Sequence, residues 1–402
     1  GIGTGTQATG NINGFNSWNS IFAYLTGIVW PNAALRDPYV LNYYFGVQRE
    51  ILPKTVLEVN YVGTEGHKLF HAEQVNRIPG NRLPVGTTVV DQFGRTLVGA
   101  GGGPTGHGYL NPNYGVLRAW ENTSKSWYDS LQVSVKHQAT RGLVFNVDYA
   151  WSHSIDTGSG WHSGTTTANG GAAGDGYGLD PTMPNLDRGN STFDIRHRLS
   201  FNYVYEFPWL KDQKGFVGHT LGGWQWNGLW SFQTGAHFTP YCASGNACDF
   251  NYDGERNDRP DILVGNHYSP TKDQWANGWF YTGGPLNGMT AWCGGGPGSC
   301  SASTSFFQTP CMACDGNLGR NTFEGPGQWS TDESLFKNFR LTERFNFQFR
   351  FEVFNAFNRA NFKLPSSATG ANYANRITSS NFGQSAGTFN PRQIQFGLKL
   401  LW

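Results

Sequence analysis

The strongest constraint on the fold is a two-residue alternation at the C-terminal end of the chain. Large apolar side chains occupy every second position from Ile394 to Trp402, and the positions between them are polar or small except for Leu401. Because successive side chains of a β-strand point to opposite faces, this pattern predicts a strand with one apolar and one polar face. Such a strand suits a soluble sandwich or a membrane barrel equally well, and the rest of the chain decides between the two.

The same alternation recurs upstream. Its most regular example is the apolar row Phe345, Phe347, Phe349, Phe351 and Val353, which alternates with polar residues. This recurrence predicts nine strands. Their approximate bounds are 37–50, 55–63, 131–136, 143–152, 199–205, 224–233, 329–340, 345–353 and 391–402.

Short and long connections alternate between these strands. Residues 1–36 are predicted as an extracellular loop segment, and further long loops are predicted at about 65–125, 154–194, 236–327 and 357–389. Loops longer than about 12–15 residues are uncommon in compact soluble domains, whereas outer-membrane barrels have short periplasmic turns and long external loops. The sequence therefore predicts an all-β fold, in which residues 37–402 form the C-terminal part of an antiparallel transmembrane β-barrel.

Composition excludes several other classes of protein. Charged residues make up 14% of the chain and aromatic residues 15%, a balance opposite to that of a disordered chain. The net charge of +1 gives no basic footprint for nucleic acid, and none is expected as a partner. The most apolar run, Ile21 to Trp30, is shorter than the roughly 20 residues of a membrane-spanning helix.

The start of the chain and the odd number of strands both lead us to expect that an N-terminal piece of the barrel is missing from this chain. Gly1 is preceded by no Met or signal sequence, which suggests an internal point of a longer precursor. Bare strand edges are not tolerated in lipid. We therefore expect one half of a split barrel, cut in an extracellular loop, whose first and last strands pair with strands of the missing N-terminal piece.

Several ordered segments resemble the C-terminal barrel of Oar-like TonB-dependent receptors. These segments are Asp37-Pro-Tyr-Val, Val47-Gln-Arg-Glu, Thr55-Val-Leu-Glu-Val-Asn-Tyr-Val-Gly, Tyr128-Asp-Ser-Leu-Gln-Val-Ser-Val-Lys, Tyr149-Ala-Trp-Ser-His-Ser-Ile-Asp, Asn257-Asp-Arg-Pro-Asp, Phe351-Glu-Val-Phe-Asn-Ala-Phe-Asn and Pro391-Arg-Gln-Ile-Gln-Phe-Gly-Leu-Lys. No one of them is diagnostic, but they occur in the order that the family shows.

The resemblance implies a 22-stranded barrel in the outer membrane of a Gram-negative-type bacterium. It also implies an N-terminal plug, in the same precursor or in a separate fragment, and energising by the TonB complex. The expected function is import of a nutrient ligand such as an oligosaccharide, peptide or chelate, without enzymatic activity or an organic cofactor. The alternative is a structural or adhesive surface protein that uses a receptor-type barrel as its anchor in outer-membrane lipid.

All six cysteines lie within the predicted 236–327 loop. They are Cys242, Cys248, Cys293, Cys300, Cys311 and Cys314. An exported loop favours disulfides, which we expect between sequence neighbours. Zinc is the alternative suggested by the Cys-x-x-Cys spacing of the last pair, although no second pair has a similar spacing.

An acidic segment in the same loop resembles the opening of a calcium-binding loop. Its candidate ligands are Asp249, Asn251, Asp253, Glu255, Asn257, Asp258 and Asp261. Position 12 is Pro260 rather than the bidentate Glu of an EF-hand. Two interpretations of this segment are therefore equally supported: a Ca²⁺ site and a loop rich in Asx turns.

The polar positions of the strands include five charged residues expected to line the barrel lumen. They are Lys136, Asp148, Arg350, Glu352 and Lys399. These residues fit either a substrate path or a charge-neutralising network in a wet interior. Scattered His and Asp residues in the loops have no accompanying nucleophile motif, so no catalytic site is predicted.

Overall fold

A computed structural model shows the arrangement of the strands and of parts of the loops. The residues that it describes are 29–31, 35–74, 118–140, 142–159, 179, 183–240, 250, 258–263, 290–293, 300–301, 305–310, 315–340, 345–364, 377, 382, 385 and 387–401.

Sixteen strands occur within these ranges. They are β1 (Val29–Pro31), β2 (Tyr39–Leu52), β3 (Thr55–Gln74), β4 (Arg118–Thr140), β5 (Leu143–Asp156), β6 (Gly189–Asn190), β7 (His197–Glu206), β8 (Trp224–Gln233), β9 (His237–Phe238), β10 (Asp261–Ile262), β11 (Thr290–Cys293), β12 (Ser305–Gln308), β13 (Phe323–Glu324), β14 (Gln328–Arg340), β15 (Asn346–Phe354) and β16 (Gln393–Leu401).

Nine long strands form one sheet in the order β16-β15-β14-β8-β7-β5-β4-β3-β2. All eight neighbouring pairs along this path are antiparallel, and the nine strands are those predicted from the alternation. Within the described residues the sheet is open, with β2 and β16 at its two edges. The short strand β1 pairs in parallel with β4, and β6 pairs with β5. A strand thus lies within the segment 1–36 that was predicted to be only loop.

The strand register divides the sheet into an apolar and a polar face. Directly opposite residues of antiparallel strands share a face, so the pairing of Phe351 with Phe396 and Leu335 extends the phenylalanine row across three strands. On the other face, Asn202 pairs with Asn146, and Ser200 with Ser231. In a membrane barrel the apolar face points to lipid and the polar face to the lumen.

Carboxylates also occur on the apolar face, where the alternation predicted only apolar side chains, and two of them are bound by aromatic donors. Glu333 on β14 accepts hydrogen bonds from Tyr203 Oη (2.8 Å), Trp226 Nε1 (2.8 Å) and Trp230 Nε1 (2.7 Å). In the other half of the sheet, Asp129 Oδ1 accepts from the hydroxyls of two tyrosines at 3.0 and 2.6 Å. Aromatic donors therefore supply the hydrogen bonds of both carboxylates on this face.

Each of these carboxylates is reached across a glycine on the intervening strand. Gly228 pairs with both Tyr203 and Glu333, and a Cβ atom at Gly228 would overlap the tyrosine ring. Gly63 has the same place between Tyr43 and Asp129. The missing side chain lets the ring cross a whole strand.

Two strands extend further into the loop region than the sequence predicted. The loop expected at about 65–125 is preceded by β3, which continues to Gln74, and followed by β4, which begins at Arg118. From the sequence only a short strand at Val116–Glu121 is predicted here, because polar residues such as Glu121 and Ser124 interrupt the apolar alternation. The two strands pair along the extensions, with register shifts near Leu69.

Parts of the long loops pack together into a cap with its own apolar core. The strands β9 to β13 form two small sheets inside the 236–327 segment, which was predicted as a loop. Its core residues are Phe238, Phe250, Phe306, Phe307, Leu318, Phe323, Ile377 and Phe382. Since two of them belong to the 357–389 loop, the core joins two different loops.

The connection between β7 and β8 contains a seven-residue helix, Gly215–Leu221, where only a turn was predicted. Gln213 fixes this helix to the next turn, because its side-chain amide donates to the Asn338 carbonyl (2.8 Å) and accepts from Arg340 N (3.1 Å). No helix in the described ranges is long and apolar enough to cross a membrane.

Candidate functional site: a pocket on the polar face

The five charged residues predicted for the lumen all lie on the polar face of the sheet. Lys136 pairs with Asn146, Arg350 with Phe336, and Lys399 with Gln348, and these positions share their parity with Asp148 and Glu352. Within the described residues they form no ion pair with one another.

Three of these side chains have local partners instead. Lys136 lies 3.5 Å from Glu58, which the sequence analysis did not select. Asp148 accepts a hydrogen bond from Ser134 Oγ (2.7 Å), and Arg350 Nε donates to Gln348 Oε1 (2.7 Å). The predicted row is thus spread along the wall rather than gathered into one site.

A pocket of about 440 Å³ lies on the polar face at the loop end of β8 and β14. We call it the polar-face pocket. Its lining consists of Ser231, Gln233, Gln328, Trp329, Ser330, Asp332, Phe354, Asn355, Asn361, Lys363, Phe389, Asn390, Pro391 and Gln393. The strands supply its floor, and the two ends of the 357–389 loop, with the residues next to them, supply its wall.

Two asparagines hold this wall in place. Asn355 is buried, has a φ of 49°, and uses its side-chain amide to bind the carbonyls of Arg359 (2.9 Å) and Asn390 (3.3 Å). Asn361 binds the main chain of Trp329 on both sides, donating to its carbonyl at 2.9 Å and accepting from its N–H at 3.1 Å. A positive φ suits Asn better than most residues, so Asn355 sets the path of the chain past the pocket.

The chemistry of the pocket is that of a hydrogen-bonding site with little net charge. Amide and hydroxyl side chains dominate the lining, with a single carboxylate at Asp332 and a single ammonium at Lys363. Asp332 Oδ1 already accepts from Asn355 N at 2.9 Å. Aromatic rings at Phe354 and Phe389 add flat apolar surface. This combination can bind a neutral or zwitterionic polar ligand.

Buried arginines connect the cap to the sheet below it. Arg320 is 1% exposed and donates to the carboxylate of Asp156, while its Nε donates to the Asp187 carbonyl (2.6 Å). Arg259 is 3% exposed and lies 3.3 Å from Asp187 Oδ1. Sequence reasoning missed this cluster, because its members come from three separate loops and strand ends and no spacing relates them.

A buried histidine belongs to the same region. His237 Nδ1 lies 3.6 Å from Asp194 Oδ2, and Arg196 lies 3.5 Å from the same oxygen. Burial lowers the pKa of His237, and the neighbouring carboxylate of Asp194 opposes this shift only in part. The imidazole is therefore held neutral inside the cap.

The disulfide prediction is confirmed for one of the three cysteine pairs. Cys293 and Cys300 are joined, with Cα atoms 6.1 Å apart, and they are sequence neighbours as expected. The other four, Cys242, Cys248, Cys311 and Cys314, lie outside the described residues. Among the described residues no group of three or more His, Cys, Asp or Glu side chains is placed to hold a metal ion.

The calcium segment is described only at its end. Asp258 accepts from Phe250 N, and Asp261 accepts from Asn317 N (2.9 Å), so both carboxylates have structural roles in the cap. The remaining candidates lie outside the described residues: Asp249, Asn251, Asp253, Glu255 and Asn257. Calcium binding stays a prediction.

Comparison with solved structures gives weak similarities to outer-membrane proteins. The outer membrane transporter YddB from Escherichia coli shares 11% identity at a TM-score of 0.42, covering 92% of this chain and 33% of that one. The ferric enterobactin receptor PfeA from Pseudomonas aeruginosa shares 10% identity at a TM-score of 0.42, and the match covers 92% of this chain and 32% of that one. The ferripyoverdine receptor of the same species shares 10% identity at a TM-score of 0.39, and the match covers 90% of this chain and 27% of that one.

The chain thus spans about a third or less of the length of these structures. No curated protein sequence matches it. The family model described as outer membrane beta barrel domain matches residues 3–395, nearly the whole chain. The chain therefore belongs to the outer membrane beta barrel domain family, which confirms the predicted fold class and outer-membrane location and agrees with a role other than that of an enzyme.

Proposed function

We propose that the chain is the barrel portion of a TonB-dependent importer that takes a polar nutrient across the outer membrane. The resemblance of its strand segments to Oar-like receptors supports this proposal, and so does its membership of an outer-membrane barrel family. Its proposed partners are an N-terminal plug, the remaining barrel strands and the TonB energising complex.

The polar-face pocket is the observation that carries the proposal. It lies on the face that a barrel turns to its lumen, at the end where the long external loops begin. A ligand that has passed the external loops would meet the lumen wall at this position. A pure membrane anchor needs no pocket there.

The lining of the pocket favours an oligosaccharide or a peptide as the ligand. Hydroxyl and amide groups of Ser231, Ser330 and Gln233 can exchange hydrogen bonds with sugar hydroxyls or peptide groups, and Phe354 offers a ring for stacking. Because Lys363 is the one cation in the lining, a multiply charged anionic chelate fits this pocket less well.

The test fills the pocket without disturbing the sheet. Ser231→Trp places an indole in the pocket, and Ser200→Trp places the same side chain on the paired position of the neighbouring strand, outside the pocket. In cells that carry the full receptor, we expect Ser231→Trp to abolish saturable uptake of the nutrient and Ser200→Trp to retain it. Equal uptake by both variants would show that the pocket does not bind the ligand.

A second arm separates import from adhesion. Deleting the TonB complex should stop uptake by the unmodified receptor, because import through a plugged barrel needs energy. If that deletion changes nothing, while loss of the protein reduces attachment of cells to surfaces, the structural or adhesive alternative is the better account.

A further inference from the structure

A second cavity, of about 460 Å³, lies on the opposite side of the sheet from the polar-face pocket. We call it the rim groove. It is lined by Tyr149, His197, Leu199, Phe232, Gln233, Thr234, Pro326, Gly327, Gln328, Trp329, Arg359, Ala360 and Phe362.

The strand register places the rim groove on the lipid-facing side. Leu199 pairs with Phe232, and Phe232 pairs with Trp329, so these three side chains form one row across β7, β8 and β14 on the apolar face. All three lie near the strand ends from which the long loops leave. The groove therefore opens toward the outer leaflet, at the depth where hydrocarbon gives way to headgroups.

The walls of the groove are rigid aromatic and apolar surfaces. The rings of Phe232 and Trp329 stack with centroids 5.9 Å apart. Phe362 packs against the apolar core of the cap, which fixes it from the far side. Tyr149 Oη bonds to His197 Nδ1 at 2.8 Å. A groove of this kind is preformed and can receive an acyl chain without reorganising.

One arginine brings a positive charge to this apolar groove. The guanidinium of Arg359 lies over the Trp329 ring, with its Cζ 5.0 Å from the centroid. Its Nε is buried and makes no hydrogen bond, and in the described part of the chain no carboxylate forms an ion pair with it. An anion at this point would supply the missing partner.

The side chain of Asn355 holds the main chain of Arg359 in this position. Asn355 accepts a hydrogen bond from Arg359 N (2.9 Å) and donates one to its carbonyl (2.9 Å). Phe357, two residues earlier, is 60% exposed and packs on Trp329 and Trp230 of the apolar face. The segment after β15 thus crosses the outer rim of the sheet and places the Arg359 guanidinium on the lipid side.

We propose that the rim groove binds a phosphorylated lipid of the outer leaflet, with the phosphate on Arg359 and an acyl chain along Leu199, Phe232 and Phe362. Arginine suits this task because its planar guanidinium forms paired hydrogen bonds with phosphate oxygens. The lipid is favoured over a free anion because the groove continues the lipid-facing surface of the barrel. Its bound lipid would fasten the rim segment to the membrane.

The test compares two arginines at the same end of the sheet. Arg359→Gln removes the charge from the groove, and Arg198→Gln removes one from the polar face of β7, beside His197 and Leu199. Binding is measured by native mass spectrometry and by titration of the full chain, in nonionic detergent, with a long-chain phosphatidic acid. We expect Arg359→Gln to weaken binding about tenfold or more, and Arg198→Gln to leave it unchanged.

Three further probes identify what is bound. Phosphatidylcholine tests the requirement for an accessible anionic phosphate, a short-chain phosphatidic acid tests the acyl chain, and inorganic phosphate tests a simple anion site. The proposal expects the long-chain anionic lipid to bind most tightly. It is overturned if Arg359→Gln and Arg198→Gln bind equally, if the short-chain lipid binds as tightly as the long-chain one, or if inorganic phosphate displaces the lipid at millimolar concentration.

Discussion

Replacing Tyr203 by phenylalanine tests the charged cluster on the apolar face. The substitution removes the hydroxyl that donates to Glu333 at 2.8 Å and leaves the ring in place over Gly228. Glu333 keeps its two indole donors at 2.8 and 2.7 Å. The change is thus confined to one hydrogen bond on a carboxylate that faces lipid.

The expected loss follows from the charge of the acceptor. A hydrogen bond to a charged group contributes about 1.5–3 kcal/mol to the free energy of unfolding. Hydrogen bonds measured between membrane helices average only about 0.6 kcal/mol. A loss above about 1.5 kcal/mol, roughly tenfold in the folding equilibrium, would therefore identify an ionised acceptor. In a Glu333→Leu background the same substitution should cost less than about 0.5 kcal/mol.

Tyr205 provides the matched control. It lies on the same strand and face, and within the described residues its hydroxyl makes no hydrogen bond. Equilibrium unfolding of the full chain in lipid vesicles with urea would measure both variants. If Tyr203→Phe and Tyr205→Phe lose the same stability, or if the loss persists without Glu333, the cluster does not stabilise the sheet.

Three further predictions address the faces and the cap. Phe347→Arg should lower the free energy of unfolding by about 2–4 kcal/mol if the side chain lies near the bilayer midplane, whereas Gln395→Arg, at an exposed polar-face position opposite Glu352, should cost much less; equal losses in urea unfolding would rule out the register. Arg320→Met leaves Asp156 as an uncompensated buried charge and should cost about 3–5 kcal/mol, seen as faster proteolysis of the cap; unchanged proteolysis would contradict the buried network. Because burial lowers the folded-state pKa of His237, the cap should be most stable above about pH 6.5, where the imidazole is neutral in both states, and should lose stability as the pH falls below that value. Hydrogen exchange of the cap measures this loss. If the His237→Gln variant shows the same pH dependence as the unmodified protein, the prediction is contradicted.

The sheet was predictable because a barrel strand has a strong local signal. A side chain that contacts lipid is apolar, whereas the next side chain, on the lumen side, need not be. The strands β15 and β16 can therefore be predicted from their own residues. Where strands leave the bilayer, as in the extensions of β3 and β4, water meets both faces and the alternation fades. The strand ends were missed for that reason.

The pocket and the cap depend on contacts that no local pattern encodes. Phe306 and Phe307 lie in a glycine-rich and serine-rich stretch without periodicity, and they are buried in a core that brings Phe382 onto Phe307 from a loop more than 70 residues away. The wall of the polar-face pocket likewise depends on Asn361 finding the main chain of Trp329. The strand register puts the five charged residues on the polar face, and their place in a lumen stays a prediction; the geometry of the pocket depends on the loops.

Nitroxide scanning of β15 tests the central claim most directly. Single cysteines, spin-labelled at each position of Asn346–Phe354 in the full chain in vesicles, report contact with lipid-soluble oxygen and with a water-soluble nickel complex. The account predicts that oxygen contact peaks at 347, 349, 351 and 353 and that nickel contact peaks in antiphase at 346, 348, 350 and 352. High nickel contact at every position, or oxygen contact without a two-residue period, would contradict a lipid-facing phenylalanine row and with it the barrel.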